Sequence, residues 1–215
     1  YIGAENLLPE YLNSLQLTSN LAFNDNRLNL GLNLFYNRLK DFIYRDPDAT
    51  GDEPRYINAG RLNSTGFEAD LTWNSDVFRG EANLCWQYAI DAEDYGVTEN
   101  YIDNVPRFSG NLILNVRPLY NKWHYLWLNV TFRYIGFQYS PINTYKNGEP
   151  YVAPLNEVPG TGLINAGLRI SSFHNFTFDA RIYNLLNTEF TQGGSVSFPY
   201  PQQTIWFMIQ LGYKF

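Results

Sequence analysis

The side chains that could carry catalysis are few in this chain of 215 residues. It has two histidines, His124 and His174, and one cysteine, Cys85. No Ser–His–Asp set or paired-histidine spacing is visible, so common nucleophilic and zinc-dependent reactions have no candidate residues. Carboxylates are plentiful, so a glycosidase-type pair stays open on sequence alone. We interpret Cys85 as a small inert side chain and expect a protein that is not an enzyme and needs no cofactor.

Two acidic stretches could attract cations. Residues 46–53, DPDATGDE, resemble the start of a calcium loop, with carboxylates at positions one and three and glycine at six. Position twelve holds Ile57 where that loop needs a glutamate. The second stretch contains Asp91, Glu93, Asp94, Glu99 and Asp103. We interpret both as solvated acidic loops and expect no metal site, although calcium binding by residues 46–53 stays open.

Composition narrows the class of protein. The net charge of −6 argues against a nucleic-acid partner, which requires a basic surface. The single cysteine excludes a disulfide within the chain. Aromatic residues reach 17%, a proportion typical of barrels that carry aromatic girdles in a membrane. No apolar run approaches the length of a transmembrane helix, but a closed barrel also satisfies its backbone hydrogen bonds in lipid. Composition alone leaves an aromatic-rich soluble sandwich as the alternative.

A period of two organises the chain and predicts the elements that position these side chains. The last stretch, 204–215, places apolar residues on one parity: Ile205, Phe207, Ile209, Leu211, Tyr213 and Phe215. The clearest case has leucines at every second position from Leu28 to Leu34, followed by Tyr36. Such alternation predicts strands with one apolar and one polar face. We count about nine strands and no helical pattern.

The connections between the predicted strands alternate in length. Short turns fall near 24–26, 74–76, 117–123 and 171–175, and long segments cover 45–58, 91–105, 137–160 and 187–203. In a meander this places every long loop on one side, as in outer-membrane barrels. Strands of about 10–14 residues also suit a tilted membrane-spanning strand. We therefore predict an all-β, antiparallel up-and-down transmembrane β-barrel. Because bacterial single-chain barrels have even strand numbers, about nine strands indicate part of a larger barrel.

The residues that alternate with the apolar ones in these strands are polar, and this pattern predicts a hydrated lumen. Its charged residues have mixed signs: Arg27, Glu68, Asp70, Arg79, Glu81, Arg133, Arg169, Asp179 and Arg181. One interpretation is a polar wall along which a substrate passes. The other is an internal lattice of ion pairs that braces the barrel, and both can hold together.

Five segments together resemble the TonB-dependent outer-membrane receptors. The similarities are residues 4–10 (AENLLPE) to "NPDLKPE", 35–43 (FYNRLKDFI) to "FYNDIKDLI", 58–69 (NAG…TGFEA) to "NAGKARIYGFELE", 184–190 (NLLNTEF) to "NLFDKEY", and 213–215 (YKF) to "YRF". Residues 199–202, PYPQ, depart from the "PGR" that the family often has. The order and spacing of these segments cover nearly the whole chain.

This resemblance implies a 22-stranded barrel with a plug domain, of which residues 1–215 would form the C-terminal part. The plug, the N-terminal strands and the TonB-binding segment would lie outside this sequence. It also implies the outer membrane of a Gram-negative bacterium and the uptake of a scarce nutrient, such as a siderophore or other metal chelate, cobalamin or a glycan. The implied partners are outer-membrane lipid, the TonB complex and the barrel-assembly machinery. The alternative is a passive porin-like barrel or a structural subunit of a larger complex.

Residue roles follow from the same resemblance. Substrate would bind the long extracellular loops, whose aromatic candidates are Tyr95, Tyr101, Tyr139, Tyr145 and Tyr151. Alternatively, these rings pack the loops together or belong to the aromatic girdle. Leu211, Tyr213 and Phe215 resemble the signal that the barrel-assembly machinery reads, and the alternative is lipid-facing bulk. The identity of the substrate and the oligomeric state stay open.

Overall fold

Long antiparallel strands dominate the computed structural model of the protein, which describes residues 7–45, 56–92, 97–98, 101–102, 104–118, 126–140, 143–146, 149–152, 156–173, 175–194 and 199–215. The strands are β1 (Tyr11–Phe23), β2 (Leu28–Arg45), β3 (Tyr56–Asn74), β4 (Phe78–Ala92), β5 (Val97–Thr98), β6 (Tyr101–Ile102), β7 (Phe108–Val116), β8 (Leu126–Ile135), β9 (Gln138–Ser140), β10 (Asn143–Lys146), β11 (Glu149–Val152), β12 (Asn156–Val158), β13 (Thr161–Phe173), β14 (Phe176–Tyr183), β15 (Thr191–Gly194), β16 (Pro199–Pro201) and β17 (Trp206–Tyr213).

Nine of these strands form one sheet in the order β1-β2-β3-β4-β7-β8-β13-β14-β17, and every neighbouring pair is antiparallel. The predicted fold class, an antiparallel up-and-down arrangement of about nine strands, is confirmed. The remaining strands pair within the long connections as β5–β6, β9–β12, β10–β11 and β15–β16. The sequence did not predict these short pairs. No helix in the described ranges is long and apolar enough to cross a membrane.

The strand register brings the predicted apolar parity onto one face, here called the outward face. One row of directly opposed residues runs across five strands: Leu17, Leu34, Phe67, Trp86 and Phe108. Four of the five side chains are exposed, with Leu17 69% accessible, and Trp86 is half-buried. Such an extended apolar surface is far larger than a water-soluble protein usually exposes. The opposite face, here called the inward face, carries the polar parity.

The turn between β1 and β2 has three consecutive residues in the left-handed conformation. Asn24, Asp25 and Asn26 have φ values of 54°, 52° and 65°. Asparagine and aspartate tolerate this left-handed conformation better than other side chains do. The predicted turn at 24–26 is therefore confirmed, together with the chemistry that predicted it.

Buried residues concentrate at the end of the sheet from which the long connections leave. Ala89, Gln138, Tyr139 and Val158 are each almost inaccessible. β9 contacts both β6 and β15, so three long connections meet around it. This end of the molecule therefore has a small packed interior, whereas most of the sheet is one layer thick.

Candidate functional site

Hydrogen bonds link the inward face from strand to strand. Thr18 Oγ1 donates to Asn33 Oδ1 at 3.1 Å, and Asn33 Nδ2 donates to Glu68 Oε2 at 3.0 Å. The three residues lie directly opposite one another on β1, β2 and β3. A polar row of this kind joins three strands without any buried apolar contact.

The same pattern continues on the middle strands through paired amides. Asn111 Nδ2 donates to Asn83 Oδ1 at 2.9 Å, and Asn129 Nδ2 donates to Asn115 Oδ1 at 2.9 Å. Each pair is directly opposed across neighbouring strands. These contacts brace this part of the inward face with neutral amide groups.

A concavity of about 460 Å³ lies on the inward face near the short turns. The guanidinium carbons of Arg117 and Arg79 lie 4.1 and 4.9 Å from the centroid of the Trp127 ring. Arg181 Nε pairs with Asp179 Oδ1 at 2.8 Å, and the second guanidinium contact to Asp179 measures 3.2 Å. Cation–ring and bidentate contacts hold these arginines in fixed orientations.

Several predicted lumen residues meet in this concavity, whose charged lining consists of Arg79, Glu81, Arg169, Asp179 and Arg181. The rest of the predicted set, Arg27, Glu68, Asp70 and Arg133, lies elsewhere on or beside the inward face. Sequence reasoning missed the part played by Arg117 and Trp127. The sequence did contain a signal, because Trp127 occupies one of the alternate positions of β8 that otherwise hold polar residues. The set can hold anionic or planar groups.

The loop tyrosines have different environments. Tyr139 is 6% exposed, its ring lies edge-on to Phe137 at 4.9 Å, and its carbonyl accepts from the backbone N of Asn104. Tyr145 and Tyr151 lie on β10 and β11, which pair as a hairpin. Tyr101 lies on β6, and Tyr95 lies outside the described residues. Tyr139 is therefore packed between connections, and the roles of all five tyrosines stay predictions.

Asn58 joins backbone segments that are distant in the sequence. The side-chain amide of Asn58 bonds both backbone groups of Leu8, at 2.7 and 2.9 Å, and the carbonyl of Asp41. Glu10 Oε1 accepts from the backbone N of Ile43 at 2.7 Å. Three of the segments that carry the family resemblance thus meet at the long-connection end.

Asn184 makes a second clamp of the same kind. It is 4% exposed and has a left-handed φ of 52°. Its side chain bonds the backbone N and O of Thr188, at 2.9 and 2.8 Å, and the carbonyl of Gln203. Asn187 Oδ1 accepts from the backbone N of Ile205 at 3.1 Å. The 184–190 segment therefore ties its loop to the last strand.

Most of the remaining candidates for chemistry lie outside the described residues. His124 and His174 lie outside the described residues, as do the calcium-like stretch 46–53 and most of the second acidic stretch. Within the part of the chain that the structure describes, no three His, Cys, Asp or Glu residues are grouped as metal ligands. Cys85 is half-buried on the inward face and has a free thiol.

A comparison with known protein families shows which family of barrels this chain belongs to. A family model described as TonB dependent receptor-like, beta-barrel, matches residues 1–185. The chain belongs to this family. A search of curated proteins gives no match. Family membership places the barrel in the outer membrane of a Gram-negative bacterium and among receptors rather than enzymes.

Solved structures of receptors share the fold of this barrel. The ferric-catecholate import receptor Fiu from E. coli K12 has a TM-score of 0.74 and 17% identity, over 97% of this chain and 28% of that chain. The pyoverdine receptor FpvA from Pseudomonas aeruginosa PAO1 has a TM-score of 0.77 and 14% identity, over 97% and 30%. The copper transporter OprC has a TM-score of 0.70 and 15% identity, over 98% and 31%. The chain therefore spans less than a third of each of these receptors.

The strand β17 presents its apolar side chains on the outward face. Leu211 is 75% exposed, and Phe215 is fully exposed. The Tyr213 ring contacts Phe215 edge-on at 5.0 Å and Phe176 at 4.7 Å. This series has the outward orientation that was predicted for it, and its role as an assembly signal stays a prediction.

Proposed function

We propose that residues 1–215 form the C-terminal part of a larger TonB-dependent barrel. Among the described residues, β1 and β17 each pair with one neighbour only. An open strand edge in hydrocarbon leaves backbone groups without hydrogen bonds, at a cost of several kcal/mol for each group. Further strands would pair with both edges and close the ring. The small share of each solved receptor that this chain covers supports the same proposal.

We further propose that the complete receptor takes up a scarce nutrient across the outer membrane, driven by the TonB complex. The observation that carries this proposal is the division of nine strands into an apolar outward face and a hydrogen-bonded polar inward face. A barrel with these faces encloses a hydrated space in lipid. The names of the solved relatives, which handle ferric chelates and copper, favour a metal or a metal chelate as the nutrient.

The experiment is uptake by cells that express the full-length receptor, with and without a functional TonB complex. The ligands are a labelled ferric catecholate, Cu²⁺, cobalamin and an oligosaccharide. We expect saturable uptake of one ligand that is lost without TonB. Uptake that is unchanged without TonB would instead support the porin-like alternative. Normal outer-membrane levels of receptor with no uptake of any ligand would contradict the nutrient proposal.

The β10–β11 hairpin is our proposed substrate contact within the long connections, together with Tyr95 and Tyr101. Replacing both Tyr145 and Tyr151 with alanine removes two rings that can stack on a ligand. Because an aromatic contact contributes about 0.5–1.5 kcal/mol, we expect half-saturation of uptake to rise about tenfold. Tyr139→Ala is the comparison, since this buried ring should affect folding rather than affinity. Equal half-saturation in the double variant and the wild type would remove the hairpin from the binding site.

We propose that Leu211, Tyr213 and Phe215 form the signal for the barrel-assembly machinery. Deleting Phe215 should reduce the amount of receptor in the outer membrane several-fold. Phe207→Ala is the control, because Phe207 is also an exposed phenylalanine and lies on the outward face of β17. A similar yield for both variants would indicate that these residues only provide apolar surface toward the lipid.

A further inference from the structure

The concavity lined by Arg79, Trp127, Gly167, Arg169 and Arg181, here called the arginine concavity, lies within the sheet rather than at its edges. Its lining comes from β4, β7, β8, β13 and β14, which are consecutive in the sheet and are each paired on both sides. Strands that close the ring at β1 and β17 would therefore leave this lining as it is. Its volume of about 460 Å³ falls within the range of about 300–1,000 Å³ that is usual for small-molecule sites.

The floor of the arginine concavity is a position without a side chain. Gly167 lies directly opposite Asn129 on β8 and Arg181 on β14, in a row of the inward face. A Cβ at Gly167 would make only ordinary contacts, the nearest being 3.4 Å from the Ala180 carbonyl oxygen and 3.4 Å from Arg181 Cγ. Crowding therefore does not require glycine here. Glycine inside a strand often marks a point where a ligand approaches the backbone closely.

The charged lining has more cations than anions. Arg79, Arg169 and Arg181 come from three different strands, and the acids beside them are Glu81 and Asp179. Asp179 receives two contacts from Arg181, at 2.8 and 3.2 Å, and also lies directly opposite Arg169. One carboxylate thus faces two guanidinium groups. Because the chain as a whole carries a net charge of −6, this positive excess is local and favours an anion in the concavity.

The arginines are also arranged to contact a flat group. The half-buried Trp127 ring lies 4.9 Å from the guanidinium carbon of Arg79, and Trp127 is directly opposite Arg169. A guanidinium plane can stack on a ring and can donate paired hydrogen bonds to a carboxylate. Side chains that are already held in place lose less freedom when a ligand binds. An aryl carboxylate combines the two features, a ring and an anionic group, that these side chains match.

We propose that the arginine concavity binds a planar anionic group of the ligand during its passage through the receptor. The long connections, which carry the proposed loop contacts, lie at the other end of the sheet, so this would be a second binding step after the loops. Its role rests on the proposed nutrient uptake. Binding of a small probe requires no transport, however, so the site and the uptake function can fail independently.

The test is binding of para-fluorobenzoate to the purified full-length receptor in detergent, followed by fluorine NMR. Its neutral counterpart of the same shape is para-fluorobenzamide. We expect the benzoate signal to broaden on binding and the benzamide signal to stay sharp.

Two pairs of variants locate the probe. Gly167→Leu fills the floor of the concavity without changing its charge and should abolish the broadening, whereas Gly167→Ala should bind like the wild type because its Cβ makes ordinary contacts. Arg169→Gln should weaken binding about tenfold. Arg133→Gln is its control, because Arg133 lies opposite Asn111 and Leu163 on the inward face, outside this lining, and should leave binding unchanged. The arginine pair carries the comparison if Gly167→Leu does not fold.

Four results would overturn the proposal. Equal broadening of benzamide would show that the charge is not recognised. Normal binding by a folded Gly167→Leu variant would place the probe elsewhere. Equal losses in Arg169→Gln and Arg133→Gln would indicate a general effect of net charge. A sharp benzoate signal with the wild-type receptor would mean that the concavity does not accept the probe, as when another part of the receptor fills it.

Discussion

The two faces of the sheet are stabilised by different means. On the outward face, Leu17, Leu34 and their neighbours are exposed apolar side chains that need lipid around them rather than specific partners. On the inward face, Asn33, Glu68 and Asn129 make hydrogen bonds with particular atoms on the next strand. The outward face therefore tolerates any apolar side chain of similar size, whereas the inward face depends on exact pairing across strands.

This difference follows from the solvents on the two sides. Hydrocarbon offers no hydrogen bonds, so a charged group placed in it costs about 2–4 kcal/mol at mid-depth. Water in a lumen solvates charges but competes with every polar contact. Contacts such as the Arg181–Asp179 pair then hold because their geometry is bidentate.

The largest loss of stability is expected when a charge is placed on the outward face. Leu32→Arg places a charge in the middle of the apolar band and should destabilise the barrel by about 2–4 kcal/mol. Asn33→Arg, one residue away on the inward face, loses the hydrogen bonds to Thr18 and Glu68 but places a cation beside Glu68 in water, so stability should change by less than about 1 kcal/mol. Urea unfolding of the full-length receptor in lipid vesicles measures both. Equal losses would mean that the two positions do not face different solvents.

A smaller effect is expected where a buried polar side chain depends on geometry. Asn184→Ala removes the contacts to Thr188 and Gln203 and forces a left-handed φ on alanine, so we expect a loss of about 2–3 kcal/mol. Asn184→Gly removes the same contacts without the backbone strain and should cost about 1 kcal/mol less. The same unfolding measurement separates the cost of the lost hydrogen bonds from the cost of the backbone strain. A glycine variant as unstable as the alanine variant would assign the whole effect to the side chain.

The smallest losses of stability are expected when a tryptophan is replaced on either face. Trp127→Leu removes the ring that Arg79 and Arg117 flank and should cost about 1–2 kcal/mol. Trp73→Leu on the outward face loses an edge contact with Phe78 and should cost about 0.5–1 kcal/mol, because lipid accommodates either side chain. The difference should appear in the unfolding midpoint. A larger loss at Trp73 would contradict a stabilising role for the inward arginines.

The sequence predicted the fold because its main signals are local. Leu28–Tyr36 alternates with period two, and Asn24–Asn26 supply a left-handed turn, so each could be interpreted without knowing any partner strand. The same alternation assigned Arg79 and Arg169 to the inward face, where the structure places both beside one concavity.

The contacts of the candidate site could not be predicted in the same way. Asn58 bonds Leu8 across 50 residues, and Trp127 meets arginines from two other segments. These contacts depend on strand register, which alternation alone does not specify. The short pairs β5–β6, β9–β12, β10–β11 and β15–β16 were missed because segments of two to four residues are too short to show a period.

The most direct test of the division between the two faces is a nitroxide scan along β2. Single cysteines at 28–37, in a Cys85→Ser background of the full-length receptor in lipid vesicles, report collisions with oxygen and with a water-soluble paramagnetic reagent. We expect oxygen to dominate at even positions such as Leu30 and Leu34, and the water-soluble reagent to dominate at odd positions such as Asn33. Equal access of the water-soluble reagent to both parities would contradict a lipid-facing outward surface.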